Sequence, residues 1–432
     1  MSEQTDTGIS AAAEETPATA PIVPAKISER IDSLDFIRGL AVMGILWANI
    51  AGFGQPFNAV TFPDAFIGET GDSGGWLWIS QFVLIDGKMR GLFTLLFGAG
   101  MYLFMERAWE RGATRALQLW RLVILLIFGL VHFFFIWMGD ILVMYSLIGF
   151  VAVACMRWTA KSQMIVGAIG YVFGALLMFA AMTFPYAIVD TPLGETPELA
   201  EQRTELVASI DQALADDKVY TDLKQSGDYW GLVEHRFGND GLLPLANSGF
   251  FILETLPLML MGMALYRFGF FSGAFNRSKM VLWGWVGLIG GAAGHLGLGL
   301  FAKSAGFSYF AVNSAYIGWS QLPRIAMIIG MAALLVVYSP AWSGWLAKRI
   351  RAAGRAAFSN YLGTSIIMLF VFHGWALGLF GELNRPQLYL VAAATCGLML
   401  LWSKPWLDRF RYGPLEWLWR CMTYRKLFAF KR

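Results

Sequence analysis

Charge is what this 432-residue chain has least of: 15% of its residues are Asp, Glu, Lys or Arg, against about a quarter in soluble globular domains. Hydrophobic residues make up 57% and aromatic residues 15%, which excludes a chain that wraps a charged shell around a single core. The formal net charge of +3 gives no basic field of the kind that binds nucleic acid. Cysteine is scarce as well. Cys155, Cys396 and Cys421 stand in or beside apolar segments with no CxxC and no partnering histidine, which excludes a disulfide framework and a zinc site; they read as packing residues. The N-terminus has no basic region before a short apolar core, so the first apolar stretch reads as a membrane anchor and not as a cleavable signal. Residues 1–29 are small, acidic and proline-containing, too poor in apolar surface to order themselves, and are expected to form a disordered cytoplasmic tail.

What is present is a series of apolar segments of membrane-crossing length, roughly 17 to 25 residues. They fall near 36–54, 76–105, 118–138, 141–156, 164–184, 247–266, 280–302, 321–339, 359–381 and 386–403. The expected fold is an all-α, polytopic transmembrane helix bundle of about ten spans. Lys and Arg collect in alternate connections: Arg107, Arg111 and Arg115; Arg157 and Lys161; Arg267, Arg277 and Lys279; Lys348, Arg349, Arg351 and Arg355; and the tail after Lys404. The connections between them are acidic. Residues 55–75 hold Asp64, Glu69 and Asp72 with no base, and residues 187–243 hold twelve acids against four bases. This alternation predicts both termini on the cytoplasmic side, a transmembrane domain over 30–403, an acidic periplasmic loop at 187–243 and a basic, aromatic interfacial segment at 404–432. Leu199, Leu206, Ile210 and Leu214 recur near helical spacing in the loop, which predicts one or two amphipathic helices covering the outer mouth.

Ionisable residues inside lipid are costly, so they face the bundle interior, pair, or line a wet path. Asp35 and Arg38 stand three apart on one helical face and read as either a structural clamp or part of a site. Asn49 follows toward the outer end of the same helix, with an amide suited to a carbonyl or to an interhelical hydrogen bond. Asp86, Lys88 and Arg90 interrupt the second span beside Gly87 and Gly91; positive charge at a broken helix suits an anionic group, and an internal salt bridge fits the same residues. His132 and Asp140 flank a tight outer turn and have the composition of a general base with its orienting acid, or of a structural hydrogen bond. His295 and His373 read as packing histidines, and His235 as facing water. Arg355, with Asn360, Tyr361 and Ser365, marks the cytoplasmic entry of the ninth span as a second place to hold phosphate. The segment around Trp417, Trp419, Arg420 and Tyr424 reads as an interfacial anchor.

The stretches RIDSLDFIRGLAVMGILWANI, GKMRGLFTLLFGAG, GLVHFFFIWMGDILVMYSLIG, AAGRAAFSNYLGTSII and GPLEWLWRCMTY, in that order from about residue 30 to the end, resemble the bacterial YeiB-like membrane proteins grouped as domain of unknown function 418. The opening motif also resembles that of a wider transmembrane acyltransferase superfamily, which includes the acyltransferase 3 proteins and the lysosomal heparan-alpha-glucosaminide N-acetyltransferase. Asp35, Arg38 and Gly39 match its LDxxRG element, which implies a shared helical core. Acyltransferase 3 proteins carry a catalytic histidine where this chain has Asn49. The lysosomal enzyme resembles this chain in having Asn there, and takes its histidine from the region before its second span. This chain has no histidine between Asn49 and His132.

The expectation is therefore a multi-pass protein of the bacterial inner membrane that moves an acyl group from a coenzyme A donor to a small-molecule or envelope-glycan acceptor, periplasmic or in the membrane. Lys88 and Arg90 would bind donor phosphates or the developing oxyanion, His132 would be the base and Asp140 its orienter. No metal and no nucleic acid are expected, and small-residue faces such as GLIGGAAGHLGLG permit homo-oligomer packing in the lipid bilayer. The alternative is a transporter of a small anionic or amphipathic solute that does no chemistry.

Overall fold

The computed structural model describes residues 31–68 and 72–432, so the tail expected at 1–29 lies outside the described residues. Those residues form sixteen α-helices and no sheet. In chain order they are α1 (Asp32–Gly54), α2 (Asp72–Leu84), α3 (Lys88–Trp109), α4 (Arg115–Val131), α5 (Leu142–Ala154), α6 (Ala160–Val189), α7 (Ala200–Gln225) and α8 (Tyr229–Gly238). There follow α9 (Leu243–Arg267), α10 (Arg277–Ser304), α11 (Tyr309–Asn313), α12 (Gln321–Tyr338), α13 (Trp345–Arg355), α14 (Ala357–Phe372), α15 (Arg385–Arg409) and α16 (Pro414–Tyr424).

A helix lies in each of the ten predicted apolar segments. Seven helices are long and apolar enough to cross a membrane, or eight if the pair α13–α14, bent by 87°, is one span. The second predicted span is in fact two helices, α2 and α3, parted at Gly87, whose φ of 73° lies in the left-handed region that glycine enters without strain. Helix α3 carries Lys88, Arg90, Glu106 and Arg107, which lower its hydropathy. Helix α5 has only 13 residues.

The outer surfaces of α6 and α10 expose Ile169, Phe173, Leu176, Leu282, Trp283 and Ile289. Apolar patches of that extent are unstable against water and fit lipid. By contrast α1 and α9 lie inside the bundle, two-thirds of each apolar stretch being buried. Helix α1 crosses α13 backbone against backbone: a Cβ at Gly39 would run into the Ile350 carbonyl, and one at Gly354 into the Asp35 carbonyl. That crossing explains why glycine follows Asp35 and Arg38 in the first motif. Helices α7 and α8 form a cap over one end, here called the acidic end. Its α7 is docked by Asp217, whose two carboxylate oxygens accept from the Phe57 and Asn58 amides at 3.0 and 2.9 Å. The loops rich in arginine gather at the opposite, basic end. There α16 lies against α4, with Trp419 Nε1 donating to the Arg121 carbonyl and Trp120 Nε1 to that of Met422. All three cysteines are free and buried.

Candidate functional site

Helix α4 does not end at the turn expected after it. Its last coil widens into a π-helical segment, His132–Ile136, a local expansion that often accompanies functional sites. The Gly139–Asp140 turn then feeds α5. The geometry sets His132 Nδ1 2.7 Å from Asp140 Oδ2, while Asp140 Oδ1 accepts the Val143 amide at 2.7 Å. The carboxylate is thus held by the start of α5 and in turn fixes the imidazole tautomer, with the proton on Nδ1. His132 is fully buried, and its Nε2 has no hydrogen-bond partner. A buried orphan nitrogen is uncommon enough to call for a chemical reason. The Tyr361 ring lies 5.2 Å from the imidazole. The Tyr361 hydroxyl accepts the Ile141 amide at 3.3 Å, and its own proton has no acceptor among the described residues.

A cavity of about 380 Å³ runs from the basic end toward this pair. Seven arginines line it (Arg38, Arg107, Arg111, Arg121, Arg355, Arg411 and Arg420) against two carboxylates, Asp35 and Glu416. Both carboxylates are engaged: Asp35 bonds Arg38 at 2.8 Å, and Glu416 accepts from the Phe358 and Ser359 amides and the Ser359 hydroxyl. Arg121 lies between the Phe104 and Trp419 rings, 4.2 Å from each. Phe93, Leu96, Phe97 and Leu125 form an apolar middle, and Ile141, Leu142, Tyr145 and Tyr361 close the deep end. His132 is not itself on the wall; it stands directly behind Tyr361.

The second-span residues Asp86, Lys88 and Arg90, expected beside donor phosphates, do not line this cavity. Lys88 is fully buried and donates to the Phe82 carbonyl. Arg90 pairs with Glu254 at 2.7 Å, and Glu254 also meets Arg324 at 3.5 Å. Asp86 accepts from Gln81 at 3.0 Å. Of these charges Arg90 is paired, Lys88 and Asp86 are held by neutral groups, and none lines the cavity. They touch its floor only through the Arg90 carbonyl, which accepts from Thr94 Oγ1 at 2.8 Å and Tyr145 at 3.3 Å. Asn49 is half-buried, also off the cavity, and no side-chain hydrogen bond of it is found among the described residues. Asn360 ties α14 to its neighbours, donating to the Ala353 carbonyl and to Ser403 and accepting from Trp402. Ser365 donates to the Tyr361 carbonyl. Of the phosphate candidates at this entry, Arg355 alone faces the cavity mouth, and Tyr361 is part of its floor.

Glu254, Arg324, Tyr145 and the mouth arginines Arg121, Arg411 and Arg420 were not singled out from the sequence as site residues. An acid and a base in the apolar runs LETLP and QLPRI were a usable signal for the first two.

The model described as "Protein of unknown function (DUF418)" matches residues 265–426. The chain is 27% identical to the "Uncharacterized protein YxaH" of Bacillus subtilis, over 93% of this chain and 96% of that one. It is 26% identical to an "Uncharacterized 39.9 kDa protein in amylase 3'region" of Bacillus acidopullulyticus, over 94% and 97%. No solved structure matches. With the "Uncharacterized protein YeiB" of Escherichia coli the identity is 30% over 92% of this chain and 97% of its relative, and on that full-length likeness the chain belongs to the YeiB-like DUF418 family of membrane proteins.

Proposed function

We propose that this protein is a membrane acyltransferase that takes its acyl group from a coenzyme A thioester bound in the arginine-mouthed cavity. The observation that carries the reading is the cavity's polarity along its length: cations at the opening, an apolar middle, and a floor of Tyr361 and Ile141 backed by the His132–Asp140 pair. An anionic, nucleotide-bearing head suits the arginines, and an uncharged arm ending in a thioester suits the apolar barrel. By the positive-inside rule the mouth faces the cytoplasm, where such donors are made, and the membrane is the bacterial inner one.

The chemistry follows from two free valences. His132 Nε2 takes the proton from an acceptor hydroxyl or amine as that oxygen or nitrogen attacks the thioester carbonyl carbon. The oxyanion so formed takes the unused proton of the Tyr361 hydroxyl as a hydrogen bond. The C–S bond then breaks, the acyl group stays on the acceptor, and the leaving thiolate takes the proton from the imidazolium. Asp140 holds the ring and balances its transient charge. Because Tyr361 stands between cavity and imidazole, its ring must turn aside for the thioester to reach Nε2.

Calorimetric titration of the detergent-purified protein with acetyl coenzyme A tests the reading. Micromolar binding that is lost when Arg121 and Arg420 are both replaced by Met supports it; no heat with acetyl or longer acyl donors overturns it. One observation favours transport instead: the break between α2 and α3 with buried Asp86 and Lys88 resembles the broken helices of transporter sites. Solute uptake into proteoliposomes that is abolished by Lys88→Met, with no acyl-donor binding, would choose that reading.

A further inference from the structure

The cap at the acidic end buries three basic side chains that the donor cavity does not use. Lys224 on α7, Arg236 on α8 and His373, just past α14, are 9%, 1% and 2% exposed. None has an ion-pair partner among the described residues. Both ring nitrogens of His373 lack hydrogen bonds, and the imidazole is walled by Tyr229 and Trp375, at 6.0 and 5.7 Å between ring centres. The Lys224 ammonium lies 4.2 Å from the centre of the Phe380 ring and has no side-chain hydrogen bond among the described residues. Of the neighbouring acids, Asp217 caps the Phe57 and Asn58 amides, Asp228 caps α8 through the Gly231 amide, and Asp240 meets Tyr220 and faces Arg236, with its Oδ2 left without a hydrogen bond. Packing alone does not account for a buried imidazole with both nitrogens bare beside two cations, since an unpaired buried polar group costs folding energy.

The cluster lies against the catalytic segment. Arg236 donates through Nε to the Tyr220 hydroxyl at 2.9 Å and through Nη1 to the Phe134 carbonyl at 3.1 Å. Tyr229 donates to the Phe135 carbonyl at 2.8 Å. Both acceptors belong to the π-helical segment that begins with His132. We propose that Lys224, His373 and Arg236 form a receptor for an anionic oxygen group, a phosphate or a carboxylate, that anchors the acceptor across the His132 segment from the donor. As an acceptor anchor the site rests on the acyl-transfer reading above.

Burial, and then Arg236, lower the Lys224 ammonium to about 7, with Asp217 opposing. Burial, Lys224 and Arg236 bring His373 to about 4, with Asp228 opposing. An anion offsets the penalty on the Lys224 cation, so it binds more tightly below the Lys224 value than above it.

The test uses the full-length protein in phosphatidylcholine nanodiscs, titrated calorimetrically with inorganic phosphate at about pH 6 and about pH 8, on either side of that value. Phosphate is expected to bind at the lower pH and to weaken by about tenfold or more at the higher, equivalent to about 1.4 kcal/mol. Lys224→Met should lose the binding, and Lys224→Arg should restore it without the pH dependence, because guanidinium does not titrate there. A parallel series in phosphatidylglycerol nanodiscs without phosphate reads thermal stability. A Lys224-dependent gain there supports the site and names a lipid headgroup as its source. No phosphate heat at either pH together with no lipid-dependent gain, or binding indifferent to Lys224, overturns the proposal. Acetyl coenzyme A is titrated into the same preparation, so that donor binding without anion binding sinks this site alone, and anion binding without donor binding sinks only the acyl-transfer reading.

Discussion

At the scale of single residues, His132 and Asp140 were legible because only eight positions and one tight turn separate them, and the structure brings them to 2.7 Å. Replacing His132 by Gln is expected to lower acyl transfer by about 10²–10⁴-fold, the usual worth of a general base, with donor affinity retained in calorimetry. If Tyr361 donates to the oxyanion, Tyr361→Phe, which also frees the Ile141 amide, should cost about 10²–10³ in turnover; unchanged turnover would remove Tyr361 from the mechanism. Arg90 was read among its sequence neighbours Asp86 and Lys88, whereas its partner Glu254 lies 164 residues on. No local spacing reveals a pair of that kind. Glu254→Gln leaves Arg90 and Arg324 buried without their counter-charge, and loss of one partner of a buried pair costs about 3–5 kcal/mol. A sharply lowered Tm of the purified variant in detergent checks this, and a Tm equal to wild type contradicts it.

Elements show a different balance of what could be read ahead. Every apolar segment holds a helix, because the need to satisfy backbone hydrogen bonds inside lipid leaves little else. The number that span could not be read the same way. Hydropathy treats each charge as a cost, yet α3 keeps Arg90 inward against Glu254. Apart from Arg355, the basic loops read as a sign of orientation. Folded, two of those connections and the C-terminal segment bring arginines to one opening beside Arg38 and Arg121, which no single loop discloses. If that opening holds donor phosphates, replacing Arg121 and Arg420 by Met should weaken acetyl coenzyme A binding by more than about tenfold. Transfer from an acetyl thioester that lacks the nucleotide should hardly change. Equal losses with both donors would place the two arginines in folding rather than in recognition. A bulkier residue at Gly39, such as Val, forces α1 off the Ile350 carbonyl and is expected to yield a protein of markedly lower Tm.

For the whole molecule, the two ends carry different electrostatics, and the cap makes stability depend on pH. The folded Lys224 ammonium titrates at about 7 against 10.5 for the free side chain. Below the first value both the folded and the unfolded chain hold the proton, and the full cost of burying it weakens the fold. Between the two values the unfolded chain binds more protons, so stability rises with pH. Above 10.5 the cost is gone. Thermal unfolding across that window should therefore show a rise that Lys224→Met flattens, while raising the Tm most on the acidic side. An identical pH profile in the variant would show that Lys224 is not the source.

The shortness of α5 has a consequence for transport distance. Thirteen residues rise about 20 Å at 1.5 Å each, against a hydrocarbon layer of about 30 Å. With α5 running from the His132–Asp140 turn to the basic loops along the membrane normal, that turn would be sunk below the far surface by about a third of the membrane's thickness. If acyl transfer takes place there, the bilayer is divided into two unequal journeys: a long dry one down which a tethered group is lowered from the basic side, and a short one by which its recipient reaches down under the cap. On that reading no acyl group has to cross the whole barrier, and no soluble intermediate has to be released on the way.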